Sequence, residues 1–465
     1  MKKTLLLISS IIVIFISCKK NSFITSPDAA INFSMDTLSF DTVFTSTGSV
    51  TQSVKIINAN NQKINLSEVK LMGGSNSPFK ININGASVSD ASNIEIDADD
   101  SIYVFVSVYV NPTSANLAFI LQDSIMVAYN GNTRFIQLQA YGQNAHFLLS
   151  RQIMGNTTWV NDLPYVILGG LAVDSGSTLT IQSGCRIYSH ANAPIIVDGT
   201  LIVQGQKYDS TRVYFQSDRL DQPYASYPAG WPGIYFAPSS KDNVFEFGVV
   251  NNAYQAIVVL GPSLDANPKL VLDECIINNS YDAGLLAQQS SIQARNCLIT
   301  NCGANVELTY GGTYAFSYCT VASYSNEFMS HTNPVLTINN VSSDGTNATY
   351  SLSASFDNCI FWGDGSLPDE VSVSKQQTSS AFGVNFNYCL WLEKDNPSNV
   401  TATNMLATDP MFDSVNNLSL FYDFHLKASS PAIGAGTISG APPFDLDGNP
   451  RVVGGLTDLG CFQKQ

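Results

Sequence analysis

Leu272-Asp273-Glu274-Cys275-Ile276-Ile277, Ala294-Arg295-Asn296-Cys297-Leu298-Ile299 and Phe316-Ser317-Tyr318-Cys319-Thr320-Val321 are copies of one hexamer, and their cysteines fall 22 residues apart. Two more copies, Phe356-Asp357-Asn358-Cys359-Ile360-Phe361 and Phe386-Asn387-Tyr388-Cys389-Leu390-Trp391, follow at steps of 40 and 30 residues. Upstream, Phe245-Glu246-Phe247-Gly248-Val249-Val250 has the same shape with glycine in the cysteine place. Its continuation, Asn251-Asn252-Ala253-Tyr254, recurs as Asn278-Asn279-Ser280-Tyr281. A period of about 22 residues is one coil of a parallel β-helix, in which short strands and turns stack on the previous coil at about 4.8 Å. Equivalent residues then form columns along the axis. The longer steps predict loop insertions, placed at His331 to Tyr350 and Ser366 to Ala381, where individuality and binding would lie.

The rest of the composition agrees with an elongated β protein. The 465 residues exceed what one core usually supports, and only 13% are charged. A formal charge of -15 disfavours nucleic acid and anionic membrane surfaces as partners.

Outward from the repeat, the chain carries Ser177-Thr178-Leu179-Thr180-Ile181, Gly184-Cys185-Arg186-Ile187, Ile195 to Gly205, and Gly230-Trp231-Pro232-Gly233-Ile234-Tyr235-Phe236. This resembles the opening coils of the pectate-lyase-like superfamily of right-handed parallel β-helix proteins. Near the other end, Phe424 to Gly436, Asp445-Leu446-Asp447-Gly448-Asn449-Pro450-Arg451 and Asp458-Leu459-Gly460 resemble the C-terminal signature of β-helix proteins grouped by a variable cell-surface anchor. The resemblance implies fold strongly and chemistry hardly at all.

Before the repeat, Ser53 to Ile57, Ile64 to Leu71, Phe79 to Ile83, Ile102 to Val110, Ile125 to Tyr129 and Arg134 to Tyr141 read as strands. They fit an immunoglobulin-like sandwich serving as a stalk or docking module. The run Tyr103 to Val110 is apolar on both faces, as a covered central strand would be. The N-terminus pairs Lys2 and Lys3 with the apolar run Leu5 to Ile16, then Ser17-Cys18. That is the plan of an export signal, and the cysteine resembles a bacterial lipobox. With the sandwich-then-helix order, the whole resembles lipoproteins of Bacteroidetes-type bacteria. Lys19-Lys20 stands where acidic surface-export residues often occur in that group, so the expected outer-membrane location has its face undecided.

The expected organisation is therefore all-β: a signal peptide at 1–17, an acylated tether at 18–28, an immunoglobulin-like β-sandwich at 29–145, a right-handed parallel β-helix at 146–425 and a C-terminal cap at 426–465. The cap is expected to cover the last coil's open edge. Its Asp445-x-Asp447-Gly448 lacks the later ligands of a calcium loop and reads as a turn, with Arg451 and Asp458 in reach.

No cofactor and no metal site is expected. Cys275, Cys297, Cys319, Cys359 and Cys389 read as a buried structural ladder, with disulfides between ladder neighbours, or between Cys297 and Cys302, as the rival. For catalysis, Asp364, Asp369 and Glu370, or Asp273 and Glu274, are the available carboxylates, and they read as turn residues. His146, His190, His331 and His425 are scattered. From Asn296 to Ser374 there is no Lys or Arg to meet an acidic polymer. For glycan binding, Tyr224, Tyr227 and Trp231 are the candidates, because flat aromatic faces suit pyranose rings. The function expected is a non-catalytic envelope lipoprotein, anchored through Cys18, that presents its β-helix to a glycan or an envelope protein. The alternative is a polysaccharide lyase or glycoside hydrolase on the same scaffold.

Overall fold

The structure is a computed structural model that describes residues 22–45, 48–111, 119–341, 348–376 and 380–465. Cys18 lies outside the described residues. The chain divides into two compact units between Asn144 and Ala145.

The first unit is a sandwich of Ile31–Phe33 (β1), Thr37–Phe44 (β2), Gln52–Asn58 (β3), Ile64–Leu71 (β4), Phe79–Ile83 (β5), Asp90–Ile96 (β6), Ser101–Val108 (β7), Phe119–Tyr129 (β8) and Asn132–Gln143 (β9). One sheet has the order β1-β3-β7-β5 and the other β2-β9-β8-β4-β6. Period-two alternation sends Val54, Ile56, Val104, Val106, Ile125 and Val127 into one core. The central strand β7 is covered on that face alone. On its other face Tyr103 and Phe105 are each 41% exposed, stacked on one another at 5.6 Å, with the Lys55 ammonium 5.0 Å over Tyr103.

The second unit is a parallel β-helix with three sheets. Sheet A stacks Arg186–Ser189, Val213–Ser217, Gly248–Asn251, Ile276–Asn278, Leu298–Thr300, Thr320–Ser323, Ile360–Gly363 and Leu390–Trp391. Sheet B stacks Ile195–Val197, Ile234–Phe236, Gln255–Leu260, 283–288, 304–309, Leu336–Asn339 and Val371–Ser374. Sheet C stacks Thr178–Gln182, Thr200–Gln204, Asn243–Glu246, Leu270–Asp273, 290–295, 312–317, Leu352–Asp357, Phe382–Asn387 and Thr401–Thr403.

Left-handed residues turn the corners. From C to A the turn is made by Phe247, Glu274, Asn296, Tyr318, Asn358 and Tyr388, with φ of 49°, 54°, 49°, 53°, 56° and 52°. From A to B it is made by Asn252, Asn279 and Asn301, and from B to C by Gly261, Gln289 and Tyr310. Asparagine tolerates this region, whereas Phe, Tyr or Glu there costs on the order of 1–3 kcal/mol. The backbone offsets that strain by keeping the ladder intact through the bend. Phe247, Glu274, Asn296, Tyr318 and Asn358 donate their N–H to the carbonyls of Asp273, Arg295, Ser317, Asp357 and Asn387 in the next coil, at 2.9–3.1 Å.

Inside, the columns are apolar. Phe316, Phe356 and Phe386 stack at 5.3 and 4.7 Å. Cys185, Cys275, Cys297, Cys319, Cys359 and Cys389 are buried free thiols, as are Cys302 and Cys461 off the column. Gly248 completes the column, since a Cβ there would meet Phe245 at 3.0 Å.

Two expectations need correction. The stretches His331 to Tyr350 and Ser366 to Ala381 are not single loops, because each contains a strand of sheet B, Leu336–Asn339 or Val371–Ser374. The extra residues therefore divide between the A–B corner (324–335 and 364–370) and the B–C corner. Residues 342–347 and 377–379 lie outside the described residues. The C-terminal segment, moreover, runs along the flank. Phe412, Phe424, Leu426, Leu446, Leu459 and Cys461 pack on the outward Leu298, Ala322, Ile360 and Leu390 of sheet A. Arg451 is buried there, donating to the carbonyls of Gly460 and Cys461 and to Asn296, with Tyr318 4.7 Å from its guanidinium. Arg212 reaches the Leu446 carbonyl at 2.7 Å.

Two measurements check this packing. All eight described thiols should titrate after denaturation and none in the native protein, since all eight are buried and burial raises Cys185 to about 11 and pushes Cys275, Cys297, Cys319 and Cys359 up as well. The flank segment should also titrate. The hydrogen bond to Asp447 raises His425 from 6.5 to about 9 against its burial, with Asp423 adding to the rise. A raised histidine stabilises fully below about 6.5 and loses that contribution as pH climbs through about 9. Melting temperature should fall across that window in the native sequence, and His425→Gln should flatten the fall.

Candidate functional site

The A–B corner collects the features that could meet a ligand. Asn252 and Asn279 hold the left-handed turn, and two residues later Tyr254 and Tyr281 emerge onto the start of sheet B. Their rings lie 5.9 Å apart and 24° from parallel, with 43% and 54% of each residue exposed. Beside them, Gln255 donates to the Asp282 carboxylate at 2.7 Å. Further along sheet B, Glu307 points outward between Leu286 and Thr337 of the neighbouring coils. Its carboxyl is raised by burial and then by the charge of Asp282. Rings with hydrogen-bonding groups at their edges form a surface on which a pyranose can lay its C–H face.

Loops frame this corner. Asn252 and Asn279 donate their side-chain amides to the carbonyls of Ala225 and Ser226, at 2.7 and 2.9 Å, which fixes the 218–230 loop over the corner. Tyr227 packs on Phe328 of the 324–335 loop, 4.9 Å between centroids. Tyr224 is exposed, but the Arg219 guanidinium lies 4.2 Å over its ring and is held by both oxygens of Asp221. Trp231 is corrected: it is 1% exposed and belongs to the helix core, its indole N–H spent on the Asn251 carbonyl at 2.9 Å. It offers no face to a sugar.

The remaining candidates separate. Each histidine has its own carboxylate: His146 with Asp162 (2.9 Å), His190 with Asp218 (2.7 Å), His331 with Glu370 (2.8 Å) and His425 with Asp447 (2.7 Å). No group of three metal-ligating side chains occurs among the described residues. Asp445 has both oxygens occupied by the N–H groups of Asp447, Asn449 and Gln463, which makes the Asp445-x-Asp447-Gly448 stretch a turn. Asp273 pairs with Arg295 at 2.8 Å, and Glu274 turns a corner. Burial works against the charge of Asp364, but hydrogen bonds from Ser325 and Ser366 outweigh it and hold the carboxyl well below its usual range. Asp369 and Glu370 gain a neighbour that sequence reading missed. Glu393 is pushed up to about 7 by burial, with Asp369 and Glu370 adding to the rise.

A groove at the B–C corner, about 480 Å³, is lined by the 262–268 loop, Tyr350 and the outward Ser291, Gln293 and Thr313. Its one described carboxylate, Asp265, is engaged by Lys241 at 3.5 Å and by the Asn267 N–H. It holds no described pair of acids.

Sequence reading also missed the exposed Tyr254–Tyr281 pair, although the recurring Asn-Asn-x-Tyr stretch contains both. It was legible as a repeat, and nothing in a single sequence says which side of a coil a tyrosine takes.

No known family matches the chain, and no curated protein does. Among solved structures, Dex49A from Penicillium minioluteum aligns over 83% of this chain and 75% of its own, with 12% identity and a TM-score of 0.24. A family 123 glycoside hydrolase from Clostridium perfringens, described for glycolipid glycan hydrolysis, aligns at 10% identity and a TM-score of 0.18 over 25% of this chain. The match spans about a quarter, 26%, of that hydrolase's length. A PapD-like domain of human CEP192 aligns over 26% of this chain and 89% of its own, at 9% identity and a TM-score of 0.18. Likeness this weak carries no inference about activity.

The buried His331–Glu370 pair gives a direct check of how tightly the 324–335 loop is seated. A Cβ on Gly363 would lie 1.8 Å from Glu370 Oε1 and 2.8 Å from His331 Nε2. Gly363→Ala should therefore destabilise by about 1–3 kcal/mol in denaturant titration, whereas Gly365→Ala tests only a left-handed turn with open space around it.

Proposed function

We propose that the mature chain is an outer-membrane lipoprotein, acylated at Cys18, whose β-helix binds a neutral glycan without turning it over. The parallel, half-exposed Tyr254–Tyr281 pair carries this reading. Several acyl chains would hold the protein at the membrane, which one chain cannot do stably. The charge of -15 disfavours acidic polysaccharides, and so does the absence of Lys and Arg from Asn296 to Ser374. The B–C groove has no described acid pair, so it lacks the two carboxylates that glycoside hydrolysis needs.

A second reading, glycoside hydrolysis, draws on Glu393. A carboxyl near pH 7 beside Asp369 has the protonation that a general acid needs at neutral pH.

Binding and turnover on a panel of neutral polysaccharides separate the two. Tyr254→Ala and Tyr281→Ala should each weaken binding about tenfold, as a lost stacking ring of roughly 1.4 kcal/mol implies, with melting temperature unchanged and no reducing ends released. Release of reducing ends that disappears in Glu393→Gln would instead establish the hydrolase.

A further inference from the structure

Behind the tyrosine pair, on the outer side of the same corner, lies a cavity of about 210 Å³. Asparagines make its floor: Asn251 and Asn278 end strands of sheet A, and Asn252, Asn279 and Asn301 turn the corner. Three separate excursions close it, the 218–230 loop through Ala225 and Ser226, the 324–335 loop through Asn326, and the Phe412–Asn416/Phe421–Leu426 hairpin through Leu420 and Tyr422.

The hydrogen bonds divide these asparagines into two sets. Asn252 and Asn279 spend their amides on the loop carbonyls and on each other. Asn278 accepts from the Thr300 hydroxyl and Asn301 accepts from the Tyr324 N–H, but their amide groups donate to no described atom. The Tyr422 hydroxyl is enclosed and makes no well-formed hydrogen bond, with the Asn326 side chain close enough to offset part of the pKa rise that burial causes. A buried polar group left in that state costs about 1–3 kcal/mol, so the cavity is built to be filled by something that hydrogen-bonds.

Its occupant can be specified by size and charge. The lining contains no acid and no base apart from the tyrosine hydroxyl, so an ionised ligand would lose hydration with no countercharge in return. At about 30 Å³ per water the volume holds about seven waters, or one pyranose ring. Each sugar hydroxyl both donates and accepts, which matches free amide N–H groups together with a phenolic oxygen.

We infer that this asparagine cavity is a second, separate binding site that takes one terminal neutral sugar residue. The ligand class rests on the carbohydrate reading above; the position does not. The cavity and the tyrosine surface are flanked by the same 218–230 loop, so a chain end seated in one leaves the following residues near the other.

The test is ligand-observed NMR titration of the full mature protein with glucose, galactose, mannose and N-acetylglucosamine, and with glucuronate as the charged control. At least one neutral monosaccharide should bind, and glucuronate at least tenfold more weakly. Asn278→Ala should lower monosaccharide affinity at least tenfold. The conservative Tyr422→Phe, which keeps the ring and removes only the hydroxyl, should lower it several-fold without changing the melting temperature. Monosaccharide binding that survives both cavity variants overturns the inference. So does its absence while neutral oligosaccharides still bind through Tyr254. Failure of every neutral sugar, long or short, overturns the carbohydrate reading together with it.

Discussion

Each coil must return to the same angular position within about 22 residues while keeping its hydrogen bonds to the next coil. The corners meet that demand. A single left-handed residue bends the chain, and its N–H still reaches the carbonyl of the following coil, as Glu274 does with Arg295 and Tyr318 with Asp357. Once the corner is set, residues on either side have no freedom of direction. Phe316, Phe356 and Phe386 must stack inward, and Tyr254 and Tyr281 must emerge together outside.

The same geometry explains the flank. Sheet A is apolar on its outward side at Leu298, Ala322, Ile360 and Leu390, which an exposed sheet would not tolerate, and the chain's last segment covers it. Arg451 holds that segment at a C–A corner. Its two terminal nitrogens donate to two carbonyls and an asparagine and its plane lies by the Tyr318 face, while Nε is buried without a partner, so the strained tyrosine corner doubles as a docking point. Burial lowers the pKa of Arg451, and the polar contacts around it are what make a buried cation tolerable.

The fold was legible because columns leave a mark in the sequence. Cysteine, small and apolar, recurs where sheet A begins, and its 22-residue spacing reveals the coil. Sheet B carries no such mark. Leu336–Asn339 and Val371–Ser374 are too short and too ordinary to be found within long insertions, so those insertions read as unbroken loops. The C-terminal signature was visible, but whether it lay on an end or a flank depended on the outward residues of a sheet whose faces were unassigned. For the site, Tyr224 and Tyr227 were legible as aromatic residues in a loop. The partners that define them, Arg219 and Phe328, are five residues away in one case and about a hundred in the other. Trp231 is one residue past that loop and already faces inward.

The claim that a neutral glycan is held at the A–B corner is tested most directly by hydrogen–deuterium exchange with and without a bound neutral oligosaccharide. Slowed exchange should be confined to peptides covering 218–230, 251–260, 278–288, 301, 324–335 and 420–422, where the loops, the tyrosine pair and the asparagine cavity meet. Protection over 262–268 and 290–293, at the B–C groove, or no protection under saturating ligand, would contradict it.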